Sequence, residues 1–196
     1  MKSNRIVVII LAVIVVLFIF RGCGEYNKIV TYREQVNREW ANVENQYQRR
    51  ADLIPNLVET VKGYAAYEQE TYTRVTEARS KATQVTIDPT NMTAEDLQRF
   101  QAAQGEVTSA LSRLLAVVEN YPDLKANQNF LELQAQLEGT ENRIAVERRN
   151  FNATATTYNT EIKKFPIVLF AKMFGFNERP YFEAVAGSDK APEVKF

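Results

Sequence analysis

Hydrophobic residues recur along most of this chain at the three- and four-residue spacing of amphipathic helices. From Leu97 to Tyr121 the apolar positions follow this spacing with one polar exception, Gln104. A second series repeats every seven residues from Phe130 to Phe165. Such seams pack against a neighbouring helix at a shallow angle. The pattern therefore predicts an all-α fold, an up-and-down bundle of about four long antiparallel helices.

Capping and turn residues mark where these predicted helices begin and end. The sequence Asp-Pro-Thr-Asn at residues 88–91 predicts a turn, and Thr93 with Asp96 predicts a capping box for the helix that follows. In the segment 26–84, Asp52 can cap a new helix with Pro55 in its first turn. We therefore predict a kink or short break near residues 50–52. One continuous helix of nearly 60 residues is the alternative.

The N-terminal residues 6–20 form an uninterrupted run of fifteen apolar side chains. As a helix this run spans about 22 Å, less than the ~30 Å hydrocarbon core of a bilayer, although Arg5 and Arg21 can snorkel to the two interfaces. We predict a single-pass transmembrane anchor that contacts lipid through residues 6–20. A cleaved signal peptide and lipidation of Cys23 are the alternatives, and Phe20 and Arg21 fit a lipidation signal poorly. The predicted division is an anchor segment 1–24, a bundle 25–186 and a disordered tail 187–196.

Composition narrows the chemistry that this bundle can perform. The 196 residues include 24 Lys and Arg, 24 Asp and Glu, no histidine and one cysteine. Catalytic triads and histidine metal sites are therefore excluded, and the balanced charge argues against nucleic-acid binding. We expect no enzyme activity, no cofactor and no metal site, although paired carboxylates remain compatible with this composition.

One polar cluster invites a functional interpretation. It comprises Arg49, Arg50, Asp52, Pro55 and Asn56. Asp52 and Asn56 share a helical face and could bind a partner's polar backbone. The structural interpretation, which we favour, is a helix cap with an Arg–Asp pair that holds the predicted kink.

The most apolar stretch outside the N-terminal run is residues 165–176. Pro166 can begin a short helix there, and Gly175 can end it. We favour a short helix that closes one end of the bundle. The alternative is a membrane or partner docking element, because Lys163, Lys164 and Lys172 supply a basic rim. Its candidate docking residues are Ile167, Leu169, Phe170 and Phe174.

Several strings together resemble the bacterial LemA family over almost the whole chain. The most specific is Arg-Arg-Ala-Asp-Leu-Ile-Pro-Asn-Leu-Val at residues 49–58; others are Glu-Asn-Tyr-Pro-Asp at 119–123 and Arg-Arg-Asn-Phe-Asn at 148–152. The resemblance implies one N-terminal hydrophobic segment and an all-helical domain with bromodomain-like topology. It implies no catalytic residue, cofactor or substrate.

The expected function is a membrane-anchored helical scaffold or protein-interaction protein, with a protein partner or a second copy of itself. The alternatives are a membrane-remodelling or lipid-surface-binding helical protein and a carboxylate-based enzyme acting at the membrane. We expect a bacterial cell membrane location. Basic residues flank the apolar run on both sides, so the orientation cues conflict, and we favour an extracytoplasmic body.

Overall fold

All the regular secondary structure in the computed structural model, which describes residues 2–65 and 68–183, is helical. The helices are α1 (Lys2–Lys62), α2 (Gln69–Gln84), α3 (Ala94–Val118), α4 (Pro122–Lys125), α5 (Gln128–Lys163) and α6 (Ile167–Met173). The all-α prediction is confirmed. The predicted tail 187–196 lies outside the described residues, as does the side chain of Cys23.

The long helices alternate in direction and pack in two pairs. Helix α1 packs chiefly against α5, and α2 packs chiefly against α3. The C-terminal part of α1 meets the C-terminal part of α3 and the N-terminal part of α5 in one buried cluster. Because α5 then returns along α1 to contact Ile29 and Trp40 at its other end, the helices form an up-and-down bundle.

The buried side chains form two clusters along the bundle. The aromatic cluster lies at the end nearer the N-terminal apolar run and includes Trp40, Tyr47, Phe100, Phe151, Tyr158, Phe176 and Phe182. The aliphatic cluster lies at the far end and includes Ile54, Leu57, Val61, Val75, Ala78, Leu111, Leu114 and Leu137. The predicted apolar seams of α3 and α5 supply residues to both clusters.

The predicted break near residues 50–52 is wrong, because α1 continues through this region with Pro55 inside it. A proline at this position leaves the carbonyl of Ala51, four residues earlier, without its helical donor. That carbonyl instead accepts a hydrogen bond from Nε of Arg79 at 2.6 Å. Asp52 is therefore not a helix cap; its Oδ1 accepts from Nε2 of Gln48 at 2.8 Å.

Other local predictions are confirmed. The hydroxyl of Thr93 accepts from the backbone N–H of Asp96 at 3.1 Å, and the Asp96 carboxylate accepts from the backbone N–H of Thr93 at 3.2 Å. Asp88 organises the predicted turn by accepting from the N–H of Thr90 at 2.8 Å. Helix α6 ends at Gly175, which has a left-handed φ of 71°. Phe165, last in the seven-residue series, is exposed because α5 ends two residues before it.

Candidate functional site

Arg50 is the buried member of the sequence motif at residues 49–56, and it lies between the two clusters. Its Nη1 donates to Oε1 of Glu141 at 2.5 Å and to Oγ1 of Thr108 at 3.1 Å. Its Nη2 donates to the backbone carbonyl of Gln104 at 3.2 Å and to its Oε1 at 2.5 Å. The guanidinium also lies 5.0 Å from the ring centroid of Tyr47. One side chain of α1 thus ties α3 and α5 together.

The rest of the motif is arranged differently from the prediction. Arg49, Asp52, Pro55 and Asn56 are exposed, and the ion pair formed by the motif joins Arg50 to Glu141 rather than to Asp52. The structure therefore does not bring the five residues together as one site. A usable signal was Gln104, the polar exception in the apolar seam of α3, which is the partner of Arg50.

A small cavity of about 140 Å³ lies beside Arg50. Burial raises the pKa of Glu44 at its edge, and Glu44 is the only carboxylate among the described lining residues. Paired carboxylates for acid–base chemistry are therefore not assembled in this cavity. Among the residues described, no group of three Asp, Glu or Cys side chains lies close enough to hold a metal ion.

The segment after α6, residues 176–183, which we call the C-terminal strap, is fixed to α5 by two asparagines. The amide of Asn159 donates to the carbonyl of Arg179 and accepts from its N–H, both at 2.8 Å. The amide of Asn152 does the same with Phe182, at 2.9 and 2.8 Å. The two asparagines are seven residues apart and follow Phe151 and Tyr158 of the apolar series, so a spacing signal existed that the sequence analysis did not use.

Buried side chains fix the strap further. Nη1 of Arg179 donates to the carbonyl of Thr90 at 2.9 Å, which links the strap to the turn before α3. The ring of Phe182 stacks on Trp40 with centroids 6.0 Å apart. The strap therefore completes the aromatic cluster, to which α2 contributes no residue among those described.

Helix α6 has one buried and one exposed apolar face. Of the predicted docking residues, Ile167 and Phe170 are buried, whereas Leu169 and Phe174 are about half exposed. Phe165 and Met173 extend the exposed face. We call Phe165, Leu169, Met173 and Phe174 the α6 patch.

The predicted anchor, residues 6–20, forms the N-terminal part of α1. In the part of the chain that the structure describes, no helix meets the length and hydropathy expected of a membrane-spanning segment.

Comparisons with known proteins agree with the resemblance seen in the sequence. The chain is 31% identical over 192 residues to magnetosome protein MamQ 2 of Paramagnetospirillum magneticum, a match that covers 89% of this chain and 71% of that protein. It is 30% identical over 191 residues to magnetosome protein MamQ of Magnetospirillum gryphiswaldense, covering 89% and 70%. It is 25% identical over 149 residues to Protein LemA of Metamycoplasma hominis, covering 76% and 64%. The LemA family profile matches residues 39–196, and the chain therefore belongs to the LemA family.

Proposed function

We propose that this protein is a single-pass, membrane-anchored helical scaffold whose helix α1 is both the anchor and a central member of the bundle. The observation that carries the proposal is the uniform exposure of apolar side chains near the N-terminus of α1. Each of the following exposes half or more of its area: Ile6, Val7, Val8, Ile9, Ile10, Leu11, Val13 and Val16. Consecutive helical positions point in all directions, so this part of α1 is apolar all round, as lipid-facing helices are.

The continuity of α1 supports a scaffold role. The same helix passes from this apolar run into the core, where Ile29, Val36 and Trp40 are buried. A bundle carried on such a helix is held at a fixed height and orientation above the bilayer. The bundle would present its helix surfaces to a protein partner or to a second copy.

A non-catalytic role is part of the proposal. The chain has no histidine, and the cavity beside Arg50 is lined by a single described carboxylate, Glu44. The names of the relatives, magnetosome protein and Protein LemA, state no reaction. These observations favour a protein that acts through its surfaces.

Alkaline extraction of membranes tests the anchor. The full chain should stay in the membrane pellet, whereas the double variant Ile9→Asp/Val13→Asp should be extracted, because a charge at the centre of a membrane helix costs roughly 2.5–3.5 kcal/mol. A matched control is Leu131→Asp/Val146→Asp, which changes two exposed apolar residues of α5. Extraction of the unaltered chain would contradict the proposal.

Crosslinking in intact membranes tests the scaffold role. We expect adducts that contain either a second copy or another protein, and recovery of monomer alone would contradict this role. For orientation, Ser112→Cys in a Cys23→Ser background, treated in intact cells with a membrane-impermeant maleimide, should be labelled if the body is extracytoplasmic as proposed. Labelling only after lysis would place it in the cytoplasm.

A further inference from the structure

We propose that the α6 patch lies in the headgroup region of the bilayer and forms a second membrane contact beside the anchor. This inference rests on the proposed anchoring of residues 6–20. It assigns the patch one occupant, a lipid surface that carries phosphate groups.

Helix α6 is docked on α1 at the point where the apolar run ends. A Cβ atom built on Gly22 would lie 2.7 Å from Cε1 of Phe170, so the ring packs directly against the glycine backbone. One turn further along α1, the ring of Tyr26 meets Phe174 edge-on with centroids 5.0 Å apart. Because Gly22 follows Phe20 by two residues, α6 begins to contact α1 only about 3 Å beyond the apolar run.

The α6 patch faces away from these contacts. Phe165 is 82% exposed, Met173 65%, and Leu169 and Phe174 are 51% each. Phe165, Leu169 and Met173 recur every four residues, the spacing that aligns side chains along one face of a helical turn. Four large apolar side chains next to one another in water are unfavourable, whereas the same face buried in the boundary between headgroups and acyl chains gains free energy.

The charges around the patch select the kind of surface. Glu161 accepts ion pairs from both Lys28 and Lys164, and Glu178 pairs with Lys163. Lys172 is also exposed on α6 itself. Four lysines against two glutamates leave a positive rim around an apolar centre. This combination is typical of helices that lie on membranes with anionic lipids.

The position of α6 also accounts for the short anchor. Residues 6–20 span about 22 Å, whereas a helix from Ile6 to Gly24 spans about 28 Å, close to the ~30 Å hydrocarbon core. With the protein inserted to the level of Gly24, α6 lies at the bilayer surface and the exposed rings of Phe165 and Phe174 enter it. The patch would then supply apolar contact at the depth where the anchor runs out.

Depth-dependent fluorescence quenching in proteoliposomes tests this arrangement on the full-length protein. Single cysteines replace Met173 in the patch, Ile10 in the anchor and Ser112 far from both, each in a Cys23→Ser background, and each carries an NBD label. The vesicles contain phosphatidylcholine and phosphatidylglycerol with a nitroxide lipid near the ester linkage. We expect labels at residues 10 and 173 to be quenched several-fold more strongly than the label at 112, with weaker quenching at 173 when phosphatidylglycerol is omitted.

The remaining outcomes separate this inference from the proposed function. Quenching at 10 but not at 173 overturns the inference and leaves the anchor in place, whereas quenching at neither position overturns both. Quenching at 173 alone overturns the anchor and, with it, the inference as stated. Equal quenching at 173 without phosphatidylglycerol overturns the role of the basic rim. Self-quenching at 173 that increases with protein density would place a second copy on the patch and overturn the lipid contact.

Discussion

The aromatic and aliphatic clusters solve the same packing problem with different side chains. The aliphatic cluster is enclosed by α1, α2, α3 and α5, and Phe130 is the only aromatic residue among its described buried members. Its alanines, Ala78, Ala82 and Ala110, let α2 and α3 approach closely. The aromatic cluster contains the large rings of Trp40, Phe100, Phe151 and Phe182, and the C-terminal strap is one of its walls.

The difference shows how a bundle can be closed where a helix is missing. A segment without helical hydrogen bonds must find partners for its backbone groups elsewhere. Asn152 and Asn159 provide these partners, and large rings fill the space that a fourth helix would occupy. The same end of the molecule carries the α6 patch and the apolar run of α1, so the unusual closure lies where the protein is proposed to meet the membrane.

The largest expected effect comes from removing the central ring of the aromatic cluster. Trp40 is 1% exposed and contacts three other rings. Trp40→Ala should therefore lower the free energy of unfolding by about 4 kcal/mol, and Leu114→Ala in the aliphatic cluster by about 3 kcal/mol. Urea unfolding followed by circular dichroism measures both. The comparison fails if Leu114→Ala is clearly the more damaging change, and exposed Leu131→Ala serves as the control.

A second, smaller effect should follow from cutting the link between the clusters. Arg50→Met keeps the side-chain length but removes four hydrogen bonds to α3 and α5, and we expect a loss of about 2 kcal/mol of unfolding free energy. Arg49→Met changes the adjacent, exposed arginine and should cost less than about 0.5 kcal/mol. Equal effects in the same urea experiment would show that Arg50 does not link the helices.

The strap should respond locally. Asn159→Ala leaves the N–H and carbonyl of Arg179 without partners, so hydrogen exchange at this amide should speed up by about tenfold or more, equivalent to ~1.4 kcal/mol. Exchange in α2 and α3 should change little, because those helices form the other end of the bundle. Asn150→Ala, which removes an exposed asparagine of the same helix, is the control. Uniform acceleration throughout the bundle would contradict a local role for the strap.

The smallest effect concerns the cap of α3 and depends on pH. Hydrogen bonds from Thr93, with a further one from Arg99, hold the pKa of Asp96 below its ordinary value of 3.8. A lowered carboxyl pKa stabilises the fold above the unfolded value, and this contribution is lost as pH falls through the folded value. Asp96→Asn should therefore destabilise the protein at neutral pH and lose its effect below about pH 3.8. Glu95→Gln in the same turn is the control, and a pH-independent difference would contradict the assignment.

Local signals in the sequence predicted much of this fold, whereas contacts between distant residues were hidden from it. The Thr93 cap, the turn at Asp88 and the seams of α3 and α5 depend on residues a few positions apart, and all are found. The continuity of α1 depends on Arg79, which lies 28 residues after the carbonyl that it satisfies. A cap and a break at Asp52 therefore matched the local pattern better than the actual helix did.

The same distinction applies to the candidate sites. The sequence singled out Arg50 but not Glu141, which lies 91 positions away. For α6 it identified the apolar segment without separating its faces, because Ile167 and Phe170 are buried by contacts with other helices while Leu169 and Phe174 remain exposed. Burial of this kind depends on tertiary packing rather than on hydrophobicity alone.

The central claim is that α1 continues as one rigid helix from the apolar run into the bundle, across the Gly22–Gly24 triplet. Spin labels at Val13→Cys and Thr31→Cys, in a Cys23→Ser background and in reconstituted bilayers, test it by double electron–electron resonance. The two exposed positions are 18 residues, or five helical turns, apart on one face. The account predicts one narrow distance distribution centred near 27 Å, the rise of a continuous helix. A broad distribution, or one centred at a clearly shorter distance, would mean that α1 bends at the triplet and would contradict the account.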